Sequence, residues 1–280
     1  MDKIALRRMI PGLGIVAAML LAVLPASAET PQQRDWCYGK GGATREMQIA
    51  GCTAFIVSGD HGNVEVADAF NTRGAAHAAK EEWDRALSDY STSIQLDPTV
   101  AFTFYNRGVA YLHTEDYDRA IADFDQVLKL DPARTQALDN RGIAYRNKGD
   151  YVRAIADYDQ AIKLNAKSAT SFNNRGTAYY HKRDFDQAIA DFSEAIRLDA
   201  KFVRAWNNRA LAYYGKQDYE QAIANYTAAI RLDPDSPLAL YGRGLAKQKR
   251  NDGKGGDADI SAAKKLDPDV VKDFAAVIAK

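Results

Sequence analysis

The stretch NRGVAY, Asn106 to Tyr111, places an arginine inside a run that otherwise has the spacing of one amphipathic helix face. It returns as NRGIAY from Asn140, NRGTAY from Asn174 and NRALAY from Asn208, with TRGAAH from Thr72 and GRGLAK from Gly242 at the two ends. The six arginines, Arg73, Arg107, Arg141, Arg175, Arg209 and Arg243, follow one another at intervals of 34 residues. Pro98, Pro132, Pro234 and Pro268 keep the same phase, with Ala166 and Ala200 in the two remaining places. Asp89, Asp123, Asp157, Asp191 and Asp259 keep it too, and Asn225 completes that row. A fixed period of this size describes an array of modules, each of which buries its apolar face only by stacking on its neighbours.

Within the unit 101–134, an apolar-periodic run from Phe102 to His113 is followed by TEDYD and a second run from Arg119 to Leu130. That pattern predicts two helices joined by a short turn. Phe104, Gly108 and Tyr111 share one face of the first helix, and Ala120, Phe124 and Val127 one face of the second, so the two faces pack together. Gly108 and Ala120 are small where the helices approach, and Pro132 stops the second helix because it cannot continue the hydrogen-bond ladder. At 100° per residue, Arg107 falls at the edge of the packed stripe and Asp123 at the matching edge of the antiparallel helix. Structural ion pairs are therefore expected for Arg107 with Asp123, Arg141 with Asp157 and Arg175 with Asp191, within a unit or between neighbours.

A 34-residue helical hairpin carrying a large residue, Gly, Tyr, Ala, an aromatic, Ala and Pro in that order resembles the tetratricopeptide repeat. The resemblance spans about 67–270 as six repeats. Their large residues are Phe70, Phe104, Leu138, Phe172, Trp206 and Leu240, and their small ones Gly74, Gly108, Gly142, Gly176, Ala210 and Gly244. It implies an all-α, right-handed superhelical solenoid whose first helices line a concave groove. Departures mark the ends. In the sixth unit Lys247 replaces the tyrosine and Gly255 and Gly256 stand where the second helix starts, so a shortened helix is expected there. A capping helix is expected over 271–280, starting near Val270. Upstream, Ile49, Cys52 and Ile56 match the spacing of Ile121, Phe124 and Leu128, which predicts a degenerate hairpin within 29–66, with 58–66 as the joint.

Ahead of this array, Lys3, Arg7 and Arg8 precede an apolar run from Met9 to Leu24 and the small residues Ala26 to Ala28. That order is the pattern of a secretory signal peptide over 1–28, with cleavage expected after Ala28. A periplasmic or secreted location follows, with no stable membrane insertion after cleavage. Export allows the only two cysteines, Cys37 and Cys52, to form a disulfide across the degenerate hairpin. Two small buried hydrophobes are the alternative.

Lys plus Arg and Asp plus Glu both number 37, so no global field draws the chain to nucleic acid. No nucleophile elbow, phosphate loop or zinc spacing is present. The four histidines, His61, His77, His113 and His181, are too dispersed for a shared metal. No catalytic residue, metal or cofactor is therefore expected. The exposed face of the first helices is the place for a peptide or protein partner: Phe102, Tyr105, Asn106, His113, Asn140, Arg146, Asn173, Asn174, Tyr180, His181, Asn207, Asn208, Tyr214 and Tyr241. Asn106, Asn140, Asn174 and Asn208 share one phase, and a row of amides offers donors and acceptors to an extended main chain. The resemblance also implies what is missing. Chaperone-binding members grip a carboxylate with a lysine at the phase of Tyr105, and here that phase holds Tyr105, Asp139, Asn173 and Asn207. The expected function is an exported scaffold for a peptide or protein segment. An envelope assembly factor with glycan contacts is the alternative.

Overall fold

The computed structural model describes residues 29–279, and the signal peptide expected over 1–28 lies outside the described residues. Among the described residues the chain is an all-α solenoid of stacked hairpins without strands. The leading hairpin is α1 (Pro31–Cys37) and α2 (Arg45–Ser58). Six regular hairpins follow: α3 (Asn63–Ala78) with α4 (Trp83–Leu96), α5 (Ala101–His113) with α6 (Tyr117–Leu130), α7 (Thr135–Asn147) with α8 (Tyr151–Leu164), α9 (Ala169–His181) with α10 (Phe185–Leu198), α11 (Val203–Gly215) with α12 (Tyr219–Leu232), and α13 (Pro237–Lys249) with α14 (Gly253–Leu266). A last helix, α15, spans Val270–Ala279. We call the first and second helix of each hairpin A and B. Each A-helix packs on its own B-helix and on the B-helix before it.

Two periodic devices close the turn between A and B. From the second regular hairpin onward an aspartate caps the B-helix: Asp116 accepts from the Arg119 amide, Asp150 from Arg153, Asp184 from Gln187, Asp218 from Gln221 and Asp252 from Gly255. The residue before each cap has left-handed backbone, with Glu115, Arg183, Gln217 and Asn251 at φ 59 to 64° and Gly149 at 79°. This conformation lets the Asp116 amide donate to the Tyr111 carbonyl at 2.9 Å, and its counterparts repeat the bond. The same cap corrects the shortened helix expected in the sixth unit. α14 has 14 residues like every other regular B-helix, because Asp252 satisfies its first turn despite the glycines. Gly256 is needed there, since a Cβ would meet the Gly244 carbonyl at 2.7 Å.

The core is a row of B-helix aromatics set on small A-helix residues. At Gly108 an added Cβ would lie 2.8 Å from the Phe124 ring, and at Gly142 it would lie 2.6 Å from Tyr158. In the fifth hairpin, where Ala210 replaces the glycine, the Tyr226 ring instead crowds Gly242 of the next A-helix.

Around this core runs the ladder of arginines. In five hairpins the guanidinium grips the aspartate through Nε and Nη2 at 2.6 to 2.9 Å: Arg73 with Asp89, Arg107 with Asp123, Arg141 with Asp157, Arg175 with Asp191 and Arg243 with Asp259. The third donor, Nη1, reaches back to the preceding hairpin: Arg107 to Ser91 Oγ at 3.1 Å, Arg141 to Asp125 and Arg175 to Asp159 at 2.6 Å, Arg209 to Ser193 at 2.9 Å. One side chain thus ties helix to helix and unit to unit. Contact with Asp157 and Asp191 holds Arg141 and Arg175 above the usual arginine range. Arg209 is the exception, because its partner is the neutral Asn225 at 2.7 Å and burial pushes its pKa down. The Trp206 ring, 4.8 Å from that guanidinium, supplies a face of negative quadrupole.

The two ends depart from this regularity. Residues 59–62 form the whole joint after α2, because α3 already begins at Asn63 within the segment expected to be a linker. Gly59 turns the chain there at φ 74°. Cys37 and Cys52 are bonded, with Cα atoms 4.4 Å apart and both side chains fully buried beside Phe55 and Ala69. Gly51 permits the approach, since a Cβ would meet the Gln33 carbonyl at 2.3 Å. Reducing this bond is expected to remove about 3 kcal/mol from the α1–α2 hairpin. The check is hydrogen exchange with and without reductant: protection is lost in α1 and α2 and kept in α5–α14.

Candidate functional site

A cavity on the groove face of the A-helices lies at α7 and α9. It measures about 540 Å³ and is lined by Tyr117, Arg146, Asn147, Lys148, Gly149, Tyr151, Thr177 and His181, with Ala276 of α15 on its far side. An offshoot of about 30 Å³ continues past Thr177 to Tyr180, Asn208 and Leu211. Its position follows from the repeat. The first residue of a B-helix meets the end of the next A-helix, so Tyr151 stacks on His181 at 5.7 Å and Trp83 on His113 at 4.3 Å. Lys148 and Lys216 bridge the same boundary to Asp118 and Asp186.

Polar and aromatic side chains line the cavity together. Arg146 Nη2 donates to Asn147 Oδ1 at 3.3 Å, and no carboxylate among the described residues pairs with it. His181 is pushed down to about 4 by burial and then by Arg146, so at neutral pH it is an uncharged ring. Tyr180 lies edge-on to His181 at 5.3 Å, and burial raises its hydroxyl pKa. Arginine, tyrosine and neutral imidazole in one concavity suit an acidic group with apolar neighbours. They hold no nucleophile paired with a base.

The structure distributes the expected groove residues differently from a single open row. Arg146, His181 and, through the offshoot, Tyr180 and Asn208 meet at the cavity. Phe102 is half exposed near the N-terminal end, with the Arg134 guanidinium 5.8 Å from its ring. Tyr214 lies on Tyr219 at 5.4 Å, and Tyr241 lies against Phe274 of α15.

The amides of the expected row also bond to one another. Asn106 Nδ2 donates to Asn71 Oδ1 at 3.1 Å, Asn140 to the Tyr105 hydroxyl at 3.1 Å, and Asn208 to Asn173 Oδ1 at 2.9 Å. Asn173 and Asn174 are buried, at 2 % and 6 % exposed. The three bonds join neighbouring A-helices to one another and form a second ladder. Asn207 lies beside them with its Oδ1 buried and without a hydrogen-bond partner among the described residues.

Sequence reasoning missed Tyr117, Tyr151 and Thr177. A signal was present for the tyrosines, because Trp83, Tyr117, Tyr151, Phe185 and Tyr219 recur with the 34-residue period at the start of the B-helices. The remaining histidines stay apart from the cavity. His61 is stacked on Phe55 at 3.7 Å, and His77 Nδ1 lies 2.7 Å from Glu82. Among the described residues no group of three or more His, Cys, Asp or Glu could hold a metal ion, and no helix is long and apolar enough to cross a membrane.

Comparisons with known proteins bear on the array and not on the ligand. The tetratricopeptide-repeat family matches residues 74–139 and, in overlapping stretches, 140–202, 173–237 and 207–247. No curated protein matches the chain. Among solved structures, a tetratricopeptide repeat protein from Parabacteroides merdae is similar with a TM-score of 0.72 at 16 % identity, over 89 % of this chain and 98 % of its own. PilF of Pseudomonas aeruginosa is similar with a TM-score of 0.63 at 18 % identity, over 76 % and 98 %. YrrB, titled a TPR protein with an unusual peptide-binding site, gives 0.53 at 22 %, over 63 % and 91 %. At such identities the likeness establishes the fold.

A partly buried carboxylate on α7 responds to pH. Asp139 Oδ2 accepts from Ser171 Oγ at 2.8 Å while Oδ1 is buried without a hydrogen bond among the described residues. Burial raises its pKa to about 6. The folded value lies above the unfolded one, so the ionised carboxylate costs stability above that pH, and the cost fades as pH falls toward 4. Asp139→Asn is expected to stabilise by about 1 to 3 kcal/mol at pH 8 and by little at pH 4. Thermal melts of both proteins across that range check it, and a pH-independent difference would contradict it.

Proposed function

Because this chain belongs to the tetratricopeptide-repeat family, we propose that it is an exported, non-catalytic scaffold that holds a peptide or protein segment in the groove of its A-helices. The observation that carries the reading is the cavity at α7 and α9. It brings together an arginine without a carboxylate partner, two tyrosines and a neutral histidine on a wall fixed by two ladders of side chains. Rigid aromatics with one cation that lacks a carboxylate partner among the described residues suit an interface hot spot, where little entropy is lost on contact. YrrB, with its peptide-binding site, has a similar fold and lends the reading support. The Cys37–Cys52 bond supports export, because such bonds persist in oxidising compartments.

A glycan-handling role is favoured less by the geometry. Sugar stacking uses an aromatic face, and Tyr180 and Tyr214 meet their neighbours His181 and Tyr219 edge to face at 5.3 and 5.4 Å. The test is a parallel titration of the purified chain with an array of envelope-protein peptides and with peptidoglycan fragments. Saturable peptide binding that weakens about tenfold in Arg146→Ala, with an unchanged melting temperature, is expected from the loss of a charge-assisted contact. Saturable glycan binding, or peptide binding indifferent to Arg146→Ala, would overturn the reading.

A further inference from the structure

Helix α15 starts one residue ahead of the place where a seventh A-helix would begin, yet it does not sit there. Each A-helix from α5 to α13 packs mainly on the two B-helices that flank it and only lightly on the A-helix before. With α15 the preference reverses, and it lies mainly on α13 and lightly on α14. Val270 keeps the ordinary place, fully buried with Leu240 and Ala263. One turn later Phe274, 4 % exposed, has crossed to Tyr241 on the groove face, ring centroids 5.2 Å apart at 65°. It belongs there to a cluster with Leu211 and Tyr226. Ala276 then reaches the cavity of Arg146, Tyr151 and His181, three hairpins back along the chain. The cap therefore covers the exposed end with its first turn only, and the rest lies along the inside of the groove.

A segment lodged in the groove shows what the groove accepts: a helix with a large apolar anchor, here Phe274. It also shows where the fit is incomplete. At Ala276 the side chain brings only a methyl to the lining of the cavity of about 540 Å³, and Arg146 lines that cavity without a carboxylate partner among the described residues. A helix with the same anchor and a long acid at the Ala276 position would keep the Phe274 contacts and add a charge-assisted bond to Arg146.

We propose that the groove is a receptor for an amphipathic helix of a partner protein, bearing a phenylalanine and, two residues later, a glutamate, and that α15 is the tethered occupant this helix displaces. The inference rests on the reading that the groove binds a protein segment, and it names the segment's form and chemistry. Tethering gives α15 a high effective concentration, so a partner's apparent affinity is reduced by the fraction of chains whose groove is already filled.

The probe is a fluorescein-labelled peptide of residues 267–280 carrying Ala276→Glu, with the unchanged peptide as comparison. Both are titrated into the full wild-type chain and into full chains carrying Phe274→Asp, Phe274→Ala, or Phe274→Ala with Arg146→Ala, each checked by circular dichroism. The glutamate peptide is expected to bind the Phe274 variants about tenfold more tightly than wild type. It should exceed the unchanged peptide by about tenfold, an advantage lost with Arg146→Ala. Phe274→Ala keeps the test valid should the aspartate variant unfold. Equal binding to wild type and Phe274→Ala, no binding to any variant, or no gain from the glutamate would overturn the proposal. If envelope peptides still bind in an Arg146-dependent way after such a result, the inference falls and the groove reading stands. If they do not, both fall.

Discussion

A guanidinium has five N–H donors in a fixed plane, and this protein uses three of them in a single repeated gesture. Two donors close on the aspartate of the same hairpin and the third reaches the hairpin before it. The A-to-B angle and the unit-to-unit step are thus set by one side chain. Apolar packing alone would leave that step loosely defined, because alanine-rich seams slide. A bidentate pair of which the aspartate is 4 to 8 % exposed cannot slide without stranding a charge. Arg209 shows the same geometry with the charge removed from one side. Asn225, Ser193 and the Trp206 face take the place of the anion, and the step is kept.

The repeat was legible because its cause is periodic. Arg107 at the edge of the apolar wheel and Asp123 at the matching edge could be paired from spacing alone. The reach-back to Ser91 or Asp125 was not foreseen, although that row also has the 34-residue phase, because a wheel for one hairpin says nothing of its neighbour. The bonds between the asparagines were not foreseen for the same reason. Asn106 and Asn208 do fall on the A-helix face away from the B-helix, but the adjoining A-helix lies close enough to take their amide protons. Gly255 and Gly256 looked like a helix break by propensity, about 1 kcal/mol each, while the cap from Asp252 and the close contact of Gly256 with Gly244 decide otherwise. Phe274 could not be placed at all from sequence. Its groove position is a tertiary choice, in which the ring joins Tyr241 and Leu211.

Function follows from the rigidity. A stack fixed by ionic and amide ladders presents its inner wall with little left to order on binding, which lowers the entropic cost of association. The wall is not uniform. At α7 and α9 an arginine without a carboxylate partner among the described residues, a neutral histidine and two tyrosines converge, and Ala276 of α15 also lines that place. Under the proposed reading, a groove partly filled by the chain's own tail discriminates among partners by what they do better than the tail.

The claim on which the rest hangs is that the arginine and aspartate act as one coupled unit, and a double-mutant cycle on Arg141 and Asp157 tests it most directly. Urea unfolding and hydrogen exchange of α7 and α8 would be measured for Arg141→Ala, Asp157→Ala and the double variant. Each single change is predicted to lose about 3 kcal/mol, and the double change to lose scarcely more than either alone. Losses that simply add would show two independent residues and contradict the account.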